Sequence, residues 1–378
     1  MRKTGTYQNL GSTTYFIPDF LPPSNPPLQL TPEILDLYSK TLLALGKLNE
    51  IGQRVPNVQR FIKAYIIKEA LLSSSIENIH TTMLDVFTQS FEPSKTSKQT
   101  QLVINYNKAL QVALEMLQQQ NVPLVSKVFL AAHQTLMQAG GGDQANPGSY
   151  RKQSVRVGNL VPPSAPHIPD LIANLERFIN EPSDIPPLIK AGLAHVQFET
   201  IHPFLDGNGR IGRLLITLML IQDDVLQTPI LYPSYYFKQR QHEYYQLLDR
   251  VRTHGDFEGW TLFYLQAIHN SATDAYVRAK DIENLHQTLI EEISKQNDLV
   301  KIEETALKAL QYLFVSPVTN ISQLALSINK SYNTTQKIIT LLQQANVVQE
   351  MTSQKRNKLY KFQPYLEILE KQYSIENV

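Results

Sequence analysis

The 378-residue chain contains no cysteine. That excludes a disulfide scaffold, a thiolate zinc site and a cysteine nucleophile, and it fits a reducing compartment. Net charge is also nearly missing, at +1. A chain so balanced is not a wholly basic nucleic-acid binder. Long apolar runs are absent too. The most apolar stretch, LLITLMLI from Leu214 to Ile221, is far shorter than a membrane span. The opening MRKTGTYQNLGSTTYF lacks the apolar core of a signal peptide, so a soluble cytoplasmic protein is expected, with no membrane partner.

What the chain does have is 42% hydrophobic residues, enough to bury a sizeable core. Prolines in YFIPDFLPPSNPP keep the first 30 or so residues extended. Helical periodicity starts at Thr31 and recurs over Val58–Leu72, 97–119 and 123–138. It breaks at GGGDQANPGSYRKQSVRVGNLVPPSAPHIP, which reads as a small β-hairpin or flap. Helices resume over 168–180, 184–201, 210–222, 235–253 and 257–281. Three further helices (302–315, 320–328, 332–345) precede two strands, VVQEM and KLYKF, joined by the basic turn TSQKRNK. This pattern suggests a winged helix-turn-helix. The expected fold is mainly α: a helical core with a small β-hairpin flap, then a winged-helix domain. The expected division is 1–100, 101–285 and 286–378.

The chemistry concentrates in HPFLDGNGRIGR, His202 to Arg213. The preceding segment carries apolar residues at Leu188, Ala191, Ala194, Phe198 and Ile201, a buried helical stripe. Pro203 biases His202 away from the α region, so that helix should end there. Gly207 and Gly209 permit a tight loop with inward amides, and the helix starting near Gly209 offers an anion site at its N-terminus. Arg210 and Arg213, three apart, should clamp a polyphosphate from one helix face. Asp206 suits magnesium, Asn208 a phosphate oxygen, and His202 general-base work near neutral pH. Singly, a histidine cap, a glycine turn and a surface arginine pair would each be ordinary. Their coincidence within this short stretch points to nucleotide chemistry.

The stretch matches at every specified position the signature HxFx(D/E)GNGRxxR, and so resembles the Fic family. PGSYRKQSVRVG resembles the family's flap, the segment Tyr235–Tyr245 its following helix, and YFIPDFLPP with KEALLSSSIEN its N-terminal region, covering about 10–270. The resemblance implies transfer of AMP from ATP to a hydroxyl side chain of a target protein. His202 would then be the base, and Asp206 the Mg2+ ligand. Asn208 and the loop from Pro203 through Phe204, Leu205, Gly207 and Gly209 would cradle the α-phosphate. Arg210 and Arg213 would take the β- and γ-phosphates, and Gln197 and Glu77 join the implied nucleotide-contacting set. The flap around Val155–Gly158 would hold the target segment by backbone pairing. Arg240 stands where the family often has asparagine, so Tyr235, Gln239 and Arg240 are only candidates for the adenine contacts.

Taken alone, Ser74-x-x-Glu77 is a capping box marking a helix start. The family's inhibitory motif (S/T)xxxE(G/N) offers another reading, because Ser73, Glu77 and Asn78 fit it. Glu77 would then reach Arg213 and take the place of the γ-phosphate. Other phosphoryl chemistries of the family, including AMP removal, are alternatives. So is a DNA-binding regulator contacting phosphates through Lys355, Arg356, Lys358 and Lys361, or using the same module to dock protein. A homodimer is left open. A histidine metallohydrolase built on His195, His202 and Asp206 lacks the HExxH pattern, and His195 reads as a core residue.

Overall fold

The structure, a computed structural model, describes residues 2–54, 59–138, 146–295, 302–351 and 357–372. The proline-rich N-terminus forms an antiparallel hairpin, β1 (Gly5–Leu10) with β2 (Thr13–Pro18), where only extended chain was expected. Gly11 takes a left-handed φ of 61° at its turn, which lets the two strands close on each other. Helices α1 (Pro32–Arg54), α2 (Gln59–Ile76), α3 (Met83–Thr88), α4 (Lys98–Gln118) and α5 (Ser126–Met137) follow.

The centre is an antiparallel pair, α7 (Pro187–Ile201) and α8 (Asn208–Gln222), preceded by α6 (Ile168–Asn180). From Leu188 to Ile201 every residue of α7 is buried, as expected for a helix covered on all sides. The capping box lies at Thr82–Asp85, which opens α3, and not at Ser74. Ser74 sits in the last turn of α2 instead, and Asn78 leaves that helix with a left-handed φ of 58°. The motif's demand for glycine or asparagine there has this backbone reason.

Beyond α8 come α9 (Ser234–Gln239), α10 (Gln241–His254) and the 39-residue α11 (Phe257–Lys295). A single helix over 235–253 was expected; the chain breaks it at Arg240. The expected end of α11 near 281 was early, because Ile282, Leu289 and Ile293 keep one face buried to the end. Gly192 lets α11 approach α7: a Cβ there would meet the Tyr264 ring at 2.6 Å, and Trp260 Nε1 donates to Gly192 O.

The C-terminal part contains α12 (Glu303–Val315), β3 (Val318–Thr319), α13 (Ile321–Ser327), α14 (Tyr332–Gln344), β4 (Val348–Glu350), β5 (Tyr360–Phe362) and α15 (Gln363–Glu370). Its antiparallel sheet runs β3-β5-β4. Two of the basic turn residues, Lys355 and Arg356, lie outside the described residues. The short β3 and the helix α15 were not anticipated. α15 ties this part to the rest: Lys68 donates to Leu369 O, and Arg278 donates to the carbonyls of Ile368, Leu369 and Lys371. Buried apolar residues form one continuous core through both parts. The expected division at 286 therefore falls inside α11. Among the described residues no helix is long and apolar enough to cross a membrane.

Candidate active site

The turn between α7 and α8 builds the site. His202 leaves α7 in the left-handed conformation, φ 50°, and its N–H still bonds to Phe198 O. Arg151, which the sequence reading passed over inside PGSYR, pins this turn. Its buried guanidinium donates to His202 O at 2.8 Å, Pro163 O at 2.6 Å and Ile201 O at 3.3 Å. A second overlooked residue, His133 of α5, stacks on Phe204 at 3.8 Å. Its Nδ1 accepts from Gly148 N–H, so Nε2 carries the proton donated to Asp206 O. Burial moves the His133 imidazole down to about 4, keeping it in that neutral form. Neither residue could be found from local spacing, since each acts across more than fifty positions.

Asn208 spends one of its two amide N–H groups within the loop. Its side chain accepts from Phe204 N–H at 2.8 Å and donates to Phe204 O at 2.9 Å, which shapes the loop from within. The two arginines also part company. Arg213 lines a cavity of 470 Å³, whereas Arg210 packs behind the loop with Nη2 at 3.7 Å from Asp206 and 3.8 Å from Met137 Sδ. Arg210 is 2% exposed, and its Nε and Nη1 have no hydrogen-bond partner. A buried cation with unspent N–H groups beside a helix N-terminus is suited to an anion.

The cavity is walled by His202, Leu205, Asp206, Gly207, Asn208, Gly209 and Arg213, with Glu77 and Glu199. Tyr244, Tyr245, Leu248, Asp249 and Arg252 close it from α10, and Val157–Asn159 from the flap. The flap is a tight turn closed by one antiparallel β-bridge, Val157 to Leu160, and braced by Phe16 N–H to Val161 O. Pro203, Phe204 and Arg210 lie behind the cavity wall. Gln197, Tyr235, Gln239 and Arg240 are also off the wall. Gln197 is buried and donates to Asp19 O, Tyr235 is buried, and Arg240 faces Glu243 at 3.8 Å. The break between α9 and α10 turns that segment away and brings α10 in its place.

Glu77 pairs with Arg213 beside the start of α8. Its Oε1 accepts from Arg213 Nη2 at 2.8 Å, and Arg213 also donates to Ser73 Oγ and Ser73 O. A Cβ on Gly209 would lie 2.2 Å from Glu77 Oε1, so the carboxylate sits against the start of α8. Burial would raise this carboxyl, but Arg213, with Arg210 and His202, holds it below its ordinary value. His202 faces the same cavity. Its Nδ1 lies 3.3 Å from Glu199 O, so Nδ1 carries the proton and Nε2 keeps its lone pair. Burial brings the imidazole down to about 4, leaving it neutral and able to accept a proton above that pH.

The set also fits a magnesium ion. Asp206 presents one carboxylate, 58% exposed, to the cavity, and magnesium commonly takes one or two carboxylates plus phosphate oxygens and water. No group of three or more acidic, histidine or cysteine ligands exists among the described residues, so the metallohydrolase reading has no support. His195 is a core residue, bonded to Gly212 O and the Tyr244 hydroxyl.

A helical core around an α–loop–α turn, with a carboxylate paired to an arginine at the start of the second helix, defines the class by its fold. Residues 35–115 match the Fic/DOC family N-terminal model and residues 123–220 the Fic/DOC family model. The chain is a Fic family protein. Protein adenylyltransferase Fic of Drosophila erecta is 32% identical over 146 residues, 38% of this chain and 28% of that protein. The Drosophila willistoni protein of the same name is 29% identical over 199 residues, 52% of this chain and 38% of that one. The chain thus spans about a third of the length of the curated relatives it matches. In fold it is similar to a Fic family protein from Desulfovibrio desulfuricans, with TM-score 0.55 and 21% identity, covering 89% of this chain and 98% of that one. Fic-1 of C. elegans aligns with TM-score 0.54 and 19% identity over 67% of this chain and 75% of that one.

Proposed function

We propose that this chain is a protein adenylyltransferase held inactive by its own Glu77. The observation that carries this reading is the Glu77 carboxylate seated against Gly209 and paired with Arg213, at the anion end of the cavity that His202 faces. A helix N-terminus flanked by two buried arginines suits a triphosphate, and a carboxylate in that place competes with it. The names of the relatives support ATP as the nucleotide and AMP as the group transferred.

His202 Nε2 takes the proton of the target's Ser, Thr or Tyr hydroxyl as its oxygen attacks the α-phosphorus. The bond to the bridging oxygen breaks and pyrophosphate leaves. The amides at the start of α8 stabilise the charge on the α-phosphoryl oxygens, Arg213 holds the outer phosphates with Arg210 adding positive charge from behind the loop, and Asn208 and His133 keep the loop in shape. Asp206 would hold magnesium, whose charge would offset that of the phosphates. The flap turn, Val157–Asn159, borders the cavity where the target segment would enter.

The first three of the four helices and the three-stranded sheet of the C-terminal part support a winged-helix reading. We favour protein docking over DNA for it, because Lys358 is spent on Glu350 at 2.9 Å. Incubation with labelled ATP tests the central reading. The Glu77→Gly chain should label itself well above the parent, and His202→Ala in that background should abolish the label. Equal labelling with and without His202 would end it.

A further inference from the structure

Glu199 stands three residues before His202 on the last turn of α7, and the reaction just described gives it no task. Its side chain is 10% exposed and lines the cavity. Oε2 lies 4.0 Å from His202 Nδ1, while Oε1 is buried with no hydrogen-bond partner. Loose packing does not account for this placement. A Cβ on Gly212 would meet Oε1 at 2.4 Å, so α8 accommodates the carboxyl only because it carries glycine there. A buried carboxyl with a spare oxygen is costly unless some state of the molecule uses it.

The geometry points to Glu199 as the positioning residue of His202, its carboxylate stabilising the imidazolium that forms when Nε2 takes the target's proton. This inference rests on the adenylyl-transfer reading. In the balanced step the hydroxyl oxygen bonds to the α-phosphorus and the bridging P–O bond breaks. Pyrophosphate leaves with that electron pair, and the hydroxyl proton goes to Nε2. The positive charge is then shared with Nδ1–H, which faces Glu199. At 4.0 Å the carboxylate is close enough to act on that charge directly. An orienting carboxylate behind a histidine base is a recurrent solution to this problem.

The charged and titratable groups around Glu199 come from four elements: Arg213 on α8, Arg252 and Tyr244 on α10, Glu77 beyond α2, and His195 with His202 on α7 itself or at its end. Burial moves the Glu199 carboxyl up to about 7, with Arg213 opposing. Only the ionised form can stabilise the imidazolium, so transfer should climb with pH as Glu199 ionises; Glu77 adds to the upward push, so its removal shifts that rise to lower pH.

The test is the pH dependence of kcat and of KM for ATP in labelled-AMP incorporation, in the full-length Glu77→Gly chain with and without Glu199→Gln. Supporting results are a rate that rises with pH, at or below about 7, in the Glu77→Gly background, a Gln variant without that rise, a loss of about 10²-fold in kcat, and unchanged KM. Partial recovery in Glu199→Asp, which keeps the charge on a shorter arm, also supports it. A Gln variant matching the background in kcat and pH profile overturns the inference. So does a Gln variant whose KM rises while kcat holds, since the carboxyl would then serve the nucleotide. If the Gln variant does not fold, a background profile flat at every pH up to about 7 overturns it alone. Absence of label at every pH in the Glu77→Gly chain itself would instead bring down the transfer reading, and this one with it.

Discussion

Replacing Glu77 by glycine should tighten ATP binding by about 5–150-fold. The pair it removes lies 2.8 Å apart, with Arg213 1% and Glu77 36% exposed at the side chain. Unit charges 4 Å apart at an effective dielectric of 20 attract by about 4 kcal/mol. The exposed third of Glu77 and the screening by salt reduce that figure, and a coupling of about 1–3 kcal/mol is a reasonable net value. That range is the stated change in affinity. The cost to the fold should be small, because Arg213 keeps its bonds to Ser73 Oγ and Ser73 O and is not left uncompensated. Glu77 also lies just past the end of α2, where glycine is tolerated. Calorimetric titration with ATP, and melting of the same preparations, decide the matter. A Kd equal to or weaker than that of the parent, together with a lowered Tm, would refute the reasoning and leave Glu77 a structural residue.

Asn208→Ala should cost about 1–3 kcal/mol, because Phe204 N–H and C=O lose their partner inside the loop, and a thermal melt reads it. Truncation after residue 295 removes the carbonyls that Lys68 and Arg278 bind and uncovers apolar faces of α2 and α11. The truncated chain should therefore melt lower, by about 2–4 °C for each kcal/mol lost; an unchanged Tm would show that α15 contributes nothing. Acid should also destabilise the fold through His195, which burial moves down to about 3. Its folded value lies below the unfolded one of about 6.5. Its contribution is thus present above pH 6.5 and lost as pH falls through 3. His133 and His202 act with the same sign, whereas Glu69 and Glu199, both raised to about 7 by burial, act oppositely between about 4.5 and 7. Melting between pH 7 and 4 should therefore fall less steeply in His195→Gln than in the parent.

The anion turn was legible because its determinants are local. Pro203 ends α7, Gly207 supplies the left-handed φ of 80°, and the arginines follow at helical spacing. Most helix cores were legible for the same reason, their apolar period surviving in sequence. What sequence could not show is where side chains are already spent. The Asn208 amide closes on Phe204 with its oxygen and one N–H, and Arg210 and Arg213 diverge although only three residues separate them. Long-range partners were equally hidden. Arg213 and Ser73 stand 140 positions apart and Arg151 and His202 51. The segment SSSIEN carries two spacings at once: Ser74 and Glu77 read as a capping box, whereas Ser73 and Glu77, four apart at a helix end, are the pair that reaches across to Arg213. The break at Arg240, which removes Tyr235 and Gln239 from the cavity and admits Leu248 and Arg252, has no strong signal in the sequence.

Intact-mass spectrometry of the full-length Glu77→Gly chain after incubation with ATP and magnesium tests the central claim most directly. The account predicts a covalent adduct of one AMP per modified hydroxyl, scarce in the parent and absent when His202→Ala is added. An adduct of bare phosphate, no adduct at all, or an AMP adduct that persists without His202 would contradict it.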